Sequence, residues 1–279
     1  MSFNTKIILF SIVLIGAAGF GSFRYYQKTH PKYVPLPPRE EVTITIIPGW
    51  NLRDVAEYLV KKGFASTTDE VYMETGMPAK DFRLIAAYQF DPHEARPFLE
   101  IPPYASKEGF LAPETYRVYK DATVRDIVDK LLEQRKKEFT EEMKLAGEKS
   151  GRSWYDIMIM ASIIEKEVKH DEDRAKVSDI LWRRLKTGWA LQVDSSVHYF
   201  VDRTGDVFTT EKERETDSPW NTYLHPGLPL GPICNPSVES IRAAIYPEKN
   251  NYWYFLSGRD GKMYYGKTLE EHAVNKKYL

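Results

Sequence analysis

The chain has 279 residues, room for one large or two modest domains, with 42% hydrophobic and 28% charged residues. Its formal net charge of -1 implies no general attraction to nucleic acid. The single cysteine, Cys234, excludes an intrachain disulfide, and the Pro/Gly-rich loop between it and His225 argues against a Cys/His nucleophile.

Residues Ile7 to Phe23 hold no charge and as a helix reach about 26 Å, just enough to span a bilayer. Two readings fit: a signal anchor, or a signal peptide cut among the small residues Gly16 to Ser22. The lack of an A-x-A site and the continuation to Phe20 and Phe23 favour the anchor. Lys6 before the span, against Arg24, Lys28, Lys32 and Arg39 after it, would by the positive-inside count alone put the body in the cytoplasm, but long domains translocate largely regardless of such charges, so orientation stays open. Residues 25–41 carry Pro31, Pro35, Pro37 and Pro38 and read as a stiff, extended linker.

The alternating, β-branched run Val42 to Ile47 predicts a strand, and Pro48-Gly49 a turn. Asn51 then caps a helix over 52–62, stopped by Gly63. Further helices are expected after Ser66 or Thr67 and over 77–87. The opening order of strand, turn and helix suits a small LysM-like glycan-binding module or any ordinary βα unit. Thr123 predicts the cap of one long helix from Val124 to about Glu148, with Arg125, Asp126, Asp129, Lys130, Glu133, Lys136 and Lys137 on a solvated face.

Trp154 to Lys169 (WYDIMIMASIIEKEVK) is apolar on nearly every face, as a core helix should be, with Ser153 as its cap. Glu165 interrupts it. Burying an unpaired carboxylate is costly, so the group finds a partner or takes up a proton. Glu165 either pairs with Lys169 at i, i+4 or acts as an acid in glycoside cleavage. A turn is expected at His170 to Asp173 and an amphipathic helix over 176–186. Residues 191–199 (LQVDSSVHY) read as extended, passing into a short helix capped by Asp194 or Ser195.

Ser218 to Pro236 (SPWNTYLHPGLPLGPICNP) reads as a rigid loop whose Asn221, Asn235, Trp220 and Tyr223 suit a sugar groove or a structural crossover. A short helix over 237–245, a hairpin around Arg259-Asp260-Gly261 and a closing helix over 268–276 complete the chain. No Walker loop, dinucleotide fingerprint, HExxH or Gly-x-Ser-x-Gly is present, and the histidines show no metal-ligand spacing. No metal and no cofactor is expected.

The ordered set EGFLAPETY (108–116), ASIIEKE (161–167), LQVDSSVHY (191–199), the 218–236 loop and YWYFLSGRDGK (252–262) resembles the endolytic murein transglycosylases, the MltG/YceG-like family. The resemblance covers nearly the whole chain after residue 41. It implies cleavage of the bond between N-acetylmuramic acid and N-acetylglucosamine inside a peptidoglycan strand, leaving a 1,6-anhydro end. It also implies a single-pass anchor in the bacterial inner membrane, a body on the outer, wall side, and peptidoglycan glycan strands and synthases as partners. The family's catalytic glutamate corresponds to Glu165, with Glu167 the second acid of the motif. Val193 and Cys234 depart mildly from the family pattern.

One carboxylate suffices for such a reaction, because the nucleophile is the sugar's own C6 hydroxyl and intramolecular attack is favoured by effective molarities of roughly 10⁵ M or more. Glu165 must carry a proton when substrate binds, which Met158, Ala161 and Ile164 around it would favour. Gln192, Asn221 and Tyr223 are the expected substrate-binding residues, with Glu108 and Glu114 orienting them. The expected fold is α+β: a transmembrane anchor (1–24), a linker (25–41), a LysM-like module (42–105) and a larger mixed catalytic domain (106–279) around a central buried helix. Two other functions remain open: a hydrolytic muramidase using Asp194 or Glu114 to activate water, and a wall-binding scaffold without chemistry.

Overall fold

The computed structural model describes residues 16, 19–26, 28–29, 38–84, 93–94, 96–203 and 208–279. The chain forms two compact units, Met1–Arg39 and Glu40–Leu279. In the first, the described residues 16, 19–26 and 28–29 are helical. Most of the expected anchor, residues 7–15, 17 and 18, lies outside the described residues. Among the described residues no helix is long and apolar enough to cross a membrane. The expected linker is not extended from its start, since Tyr25, Tyr26, Lys28 and Thr29 are helical. The prolines that forbid helix begin only at Pro31.

The second unit opens with β1 (Glu41–Thr45), α1 (Leu52–Lys61) and α2 (Thr68–Thr75). Asn51 caps α1 through a capping box with Asp54, satisfying donors that a helix start leaves open. β2 (Thr115–Tyr119) returns antiparallel to β1, in register from Glu41 opposite Tyr119 to Thr45 opposite Thr115. Ile44, Tyr116 and Val118 from this sheet and Ile46 just after β1 meet Leu52, Val55 and Leu59 of α1 in one small core. Ile127, Val128 and Leu131 of α3 (Val124–Lys137) belong to that core as well. The expected division at 105/106 therefore cuts through it, because a lone strand must find its partner further along the chain.

Two expected helices change. Over 77–87 only Phe82–Leu84 is helical, as one 3-10 turn, and 85–87 lie outside the described residues. Pro78 disfavours helix at Met77, and Ala79 takes a left-handed backbone with φ 51°. The long helix breaks after α3, and α4 (Glu141–Lys149) restarts on Thr140, whose side chain accepts from Met143 N. The charged face of α3 is exposed as expected, although Arg135 is buried and donates to Leu111 O and Pro236 O.

α5 (Trp154–Glu167) runs through the larger core, with every residue from Ile157 to Ile164 buried. Ser153 caps it by accepting from Asp156 N. α6 (Asp171–Lys186) starts where a turn was expected, because Asp171, Glu172 and Asp173 suit the positive end of a helix. Then follow α7 (Asp194–Val201), a short α8 (Glu211–Arg214), α9 (Val238–Ile245), the hairpin β3 (Tyr254–Ser257) and β4 (Met263–Gly266), and α10 (Leu269–Asn275). Val193 rather than Asp194 or Ser195 is the cap residue of α7.

Trp154 fixes the α4–α5 contact. Its ring meets Phe98 and Phe139 edge-on, at 4.9 and 5.5 Å between centroids. A methyl group at Gly147 of α4 would stand 2.2 Å from that indole. Gly147→Ala gains up to about 1 kcal/mol of helix propensity but overpacks a ring held on two sides, at roughly 1–3 kcal/mol. Urea unfolding should therefore show a net loss of about 1–2 kcal/mol. A midpoint at or above the parent's would mean that the indole moves aside freely.

Candidate active site

Glu165 sits in the last turn of α5, its side chain 7% exposed. One turn earlier, Ser162 secures the 218–236 loop: its hydroxyl accepts from Ile233 N at 3.0 Å, and its carbonyl accepts from Cys234 Sγ. That docking delivers Ser237, the cap of α9, to Glu165. Glu165 Oε2 accepts from Ser237 N at 2.9 Å, Ser237 Oγ at 2.5 Å, Ser240 Oγ at 2.7 Å and Arg174 Nη1 at 3.4 Å. Oε1 makes no hydrogen bond among the described residues. Donors crowd Oε2, so Oε1 is the oxygen with acceptor capacity to spare. The charge partner is Arg174 of α6, not Lys169, which lies past the end of α5 and is exposed.

Glu165 lines a cleft of about 1280 Å³. One wall is the Gly49–Asn51 turn, another the residues from Gln192 into α7, and a third β3 with Tyr254 and Phe255. The Gly49–Asn51 wall is tied down by Asn235, whose carbonyl accepts from Gly49 N at 2.9 Å and whose N–H donates to Trp50 O at 2.7 Å. Glu167 also lines the cleft and accepts from Ser195 Oγ at 2.6 Å, joining the end of α5 to the start of α7. Burial pushes the Glu167 carboxyl above its ordinary range, and Asp194's charge adds to this. His272, stacked on Tyr254, is held below its usual range by burial and by Lys276 and Arg184.

The expected substrate-binding residues divide. Gln192 lines the cleft and is exposed, on a left-handed backbone with φ 54°. Such a conformation costs a non-glycine residue roughly 1–2 kcal/mol and collects at functional sites. Here Gln192 N and Val193 N, bonded to Thr222 O and Oγ1, hold it. Its side-chain amide makes no hydrogen bond among the described residues. Tyr223 lines the cleft too, but its hydroxyl is given to Asp194 Oδ1 at 2.7 Å.

None of the other three lines the cleft. Asn221 is fully buried, with its amide spent on Arg214 O, Thr216 O, Tyr223 N and Leu224 N, so it shapes the loop instead of meeting a ligand. Glu108 is 1% exposed and does not line the cleft; it reaches the site only through Leu52 N, Tyr199 and Asn235. Glu114 is exposed beside β2, away from the cleft lining, and accepts from Thr115 N. Ser237, Ser240 and Arg174 were not expected. The only sequence signal for the serines is a helix-start pattern, Ser-x-x-Ser, which says nothing about a distant carboxylate.

Known proteins align with this arrangement. Over 174 residues the chain is 36% identical to a protein of Bacillus subtilis (strain 168) named endolytic murein transglycosylase, covering 62% of this chain and 48% of the relative. A protein of the same name from Streptococcus pneumoniae (serotype 2, strain D39) is 27% identical over 257 residues, covering 85% and 45%. The chain thus spans about half the length of the curated relatives it matches. A crystal structure of a yceG-like protein from Listeria monocytogenes superposes with a TM-score of 0.69 at 28% identity, over 86% of this chain and 76% of that one. The model of the YceG-like family matches residues 28–278, nearly the whole of the second unit and part of the first. On that match the chain belongs to the YceG-like family.

Proposed function

We propose that this chain is an endolytic lytic transglycosylase that cuts peptidoglycan strands between N-acetylmuramic acid and N-acetylglucosamine. The observation that carries this is the division of labour on Glu165, a residue of the cleft lining: Oε2 is held by four donors while Oε1 makes no hydrogen bond among the described residues. Oε1–H protonates the glycosidic oxygen as the bond from C1 breaks. The C6 hydroxyl of the same sugar closes on C1, and its proton returns to Oε1, which restores the acid. No water enters, so the new end is a 1,6-anhydro sugar.

The names of the curated relatives support the same reading. The β1-α1-α2-β2 order, with its Gly49–Asn51 turn lining the cleft, supports a LysM-like glycan-binding role for that part. The uncharged run 7–23 supports a membrane anchor, while a body on the wall side of the inner membrane and peptidoglycan synthases as neighbours rest on the family resemblance alone. A hydrolytic muramidase has one observation in its favour: Asp194, a second carboxylate, lines the cleft. Digestion of uncrosslinked strands by the full chain, with products weighed by mass spectrometry, separates the two. Ends lighter by one water are expected. Ends that carry the water would replace the lyase with a hydrolase, and absence of fragments would leave a binding scaffold.

A further inference from the structure

Asp194 repeats the arrangement seen on Glu165. Its Oδ1 accepts from Thr209 Oγ1 at 2.5 Å and from Tyr223 OH at 2.7 Å. Its Oδ2 makes no hydrogen bond among the described residues, and the residue lines the cleft. The two donors come from segments 15 and 29 residues further along the chain. They are themselves held. Arg214 Nη1 donates to Thr209 Oγ1 at 3.0 Å and to Thr209 O at 2.6 Å, and its guanidinium lies 5.7 Å from the Tyr223 ring centroid. Thr209 is 5% exposed. Burial and the neighbouring Asp194 hold the proton on the Tyr223 hydroxyl, which keeps it a donor. Asp194 is also the first residue of α7, where a negative charge is favourable. The Glu167–Ser195 bond then fixes this helix start against the end of α5, two residues from Glu165.

We propose that Asp194 is a second functional carboxylate of the cleft, whose Oδ2 accepts a hydrogen bond from a hydroxyl or amide N–H of the bound sugar, with Tyr223 and Thr209 as positioning residues. Two converging hydroxyls on one oxygen orient the carboxyl plane, so the other oxygen meets the ligand already aligned. Sugars offer donors, and a charged acceptor makes the stronger bond to them. The inference rests on reading the cleft as a glycan site. It differs from the hydrolase reading in giving Asp194 no proton to move.

The test uses the full chain, uncrosslinked strands for turnover and insoluble peptidoglycan for co-sedimentation. Asp194→Asn keeps the shape and replaces the oxygen that Thr209 and Tyr223 leave open with an NH₂ group. It should lower kcat/KM roughly 10- to 100-fold, mainly through KM, weaken co-sedimentation to match, and leave product masses unchanged. Tyr223→Phe should cost roughly 3- to 10-fold alone and less than about twofold in the Asp194→Asn background, because it acts through that carboxylate. Tyr223→Phe removes one hydroxyl only and still decides the matter if Asp194→Asn does not fold. Parental KM and sedimentation in both single variants would overturn the inference. So would additive losses in the pair, or selective loss of ends that carry water. Parent enzyme that sediments but releases no fragments would instead overturn the lyase reading, leaving the Asp194 arm to be judged on binding.

Discussion

Glu165→Gln is expected to lower strand cleavage by roughly 10³-fold or more while the protein stays folded. The amide oxygen can take the place of Oε2 and still accept from Ser237 N, Ser237 Oγ and Ser240 Oγ. Its NH₂ group then replaces Oε1, and an amide at neutral pH neither gives nor takes the proton. Both proton transfers fail together, which is why the loss exceeds that of a single hydrogen bond. Arg174 loses a charged partner at 3.4 Å but keeps Ser237 Oγ at 2.6 Å and Asp171 at 3.4 Å. The stability cost should therefore be about 1 kcal/mol, well short of the 3–5 kcal/mol for stranding a buried charge. Product mass spectrometry and a thermal melt check the two halves. Wild-type cleavage by the variant would remove Glu165 from the chemistry.

The central helix was readable because its signal is local. An apolar surface on all faces, a serine cap and no Gly or Pro leave few alternatives for residues 154–167. Glu165 stood out for a related reason: after Asp156 in the first turn it is the first charge in the run. Its partners did not. Arg174 depends on α6 starting at Asp171, and Ser237 and Ser240 depend on the 218–236 loop docking on Ser162, more than 70 residues away. Loop residues misled in the opposite direction. Asn221 and Glu108 look like exposed polar groups in a Pro/Gly-rich context, yet both are buried: Asn221 accepts from Tyr223 N and Leu224 N, and Glu108 from Leu52 N, the Tyr199 hydroxyl and the Asn235 amide. The break after α3 was visible in Thr140 followed by Glu141 and Glu142, a plain helix start that the unbroken run of charges obscured. Small-core completion by β2 lay beyond any local pattern, because strand pairing is a relation between distant segments.

Glu108 gives the second large effect, and it is one of stability. The carboxyl is 1% exposed and accepts from Leu52 N at 3.0 Å and Tyr199 OH at 3.1 Å, with Asn235 Nδ2 at 3.4 Å. Burial pushes it up to about 8 from an ordinary 4.5, against the pull of those donors. Between these values the folded chain holds a proton that the unfolded chain releases. Glu108's contribution is thus complete below pH 4.5 and is lost as pH rises through 8. Glu108→Gln removes the titration and keeps an oxygen for Leu52 N and Tyr199 OH. Urea unfolding from pH 4 to 9 should show the variant gaining on the parent across this window by on the order of 4 kcal/mol, then levelling off. The new NH₂ facing Asn235 adds an offset but no slope, so a pH-independent difference would sink the assignment. Glu108→Ala is the harsher change. It strands Leu52 N–H, the Tyr199 hydroxyl and the Asn235 amide, at roughly 3–5 kcal/mol. Asn235 also donates to Trp50 O through Nδ2 at 3.1 Å, so the same substitution should loosen the Gly49–Asn51 wall and lower strand cleavage without touching Glu165. Cleavage that survives in a folded Glu108→Ala protein would mean that this wall is held by the backbone of residue 235 alone.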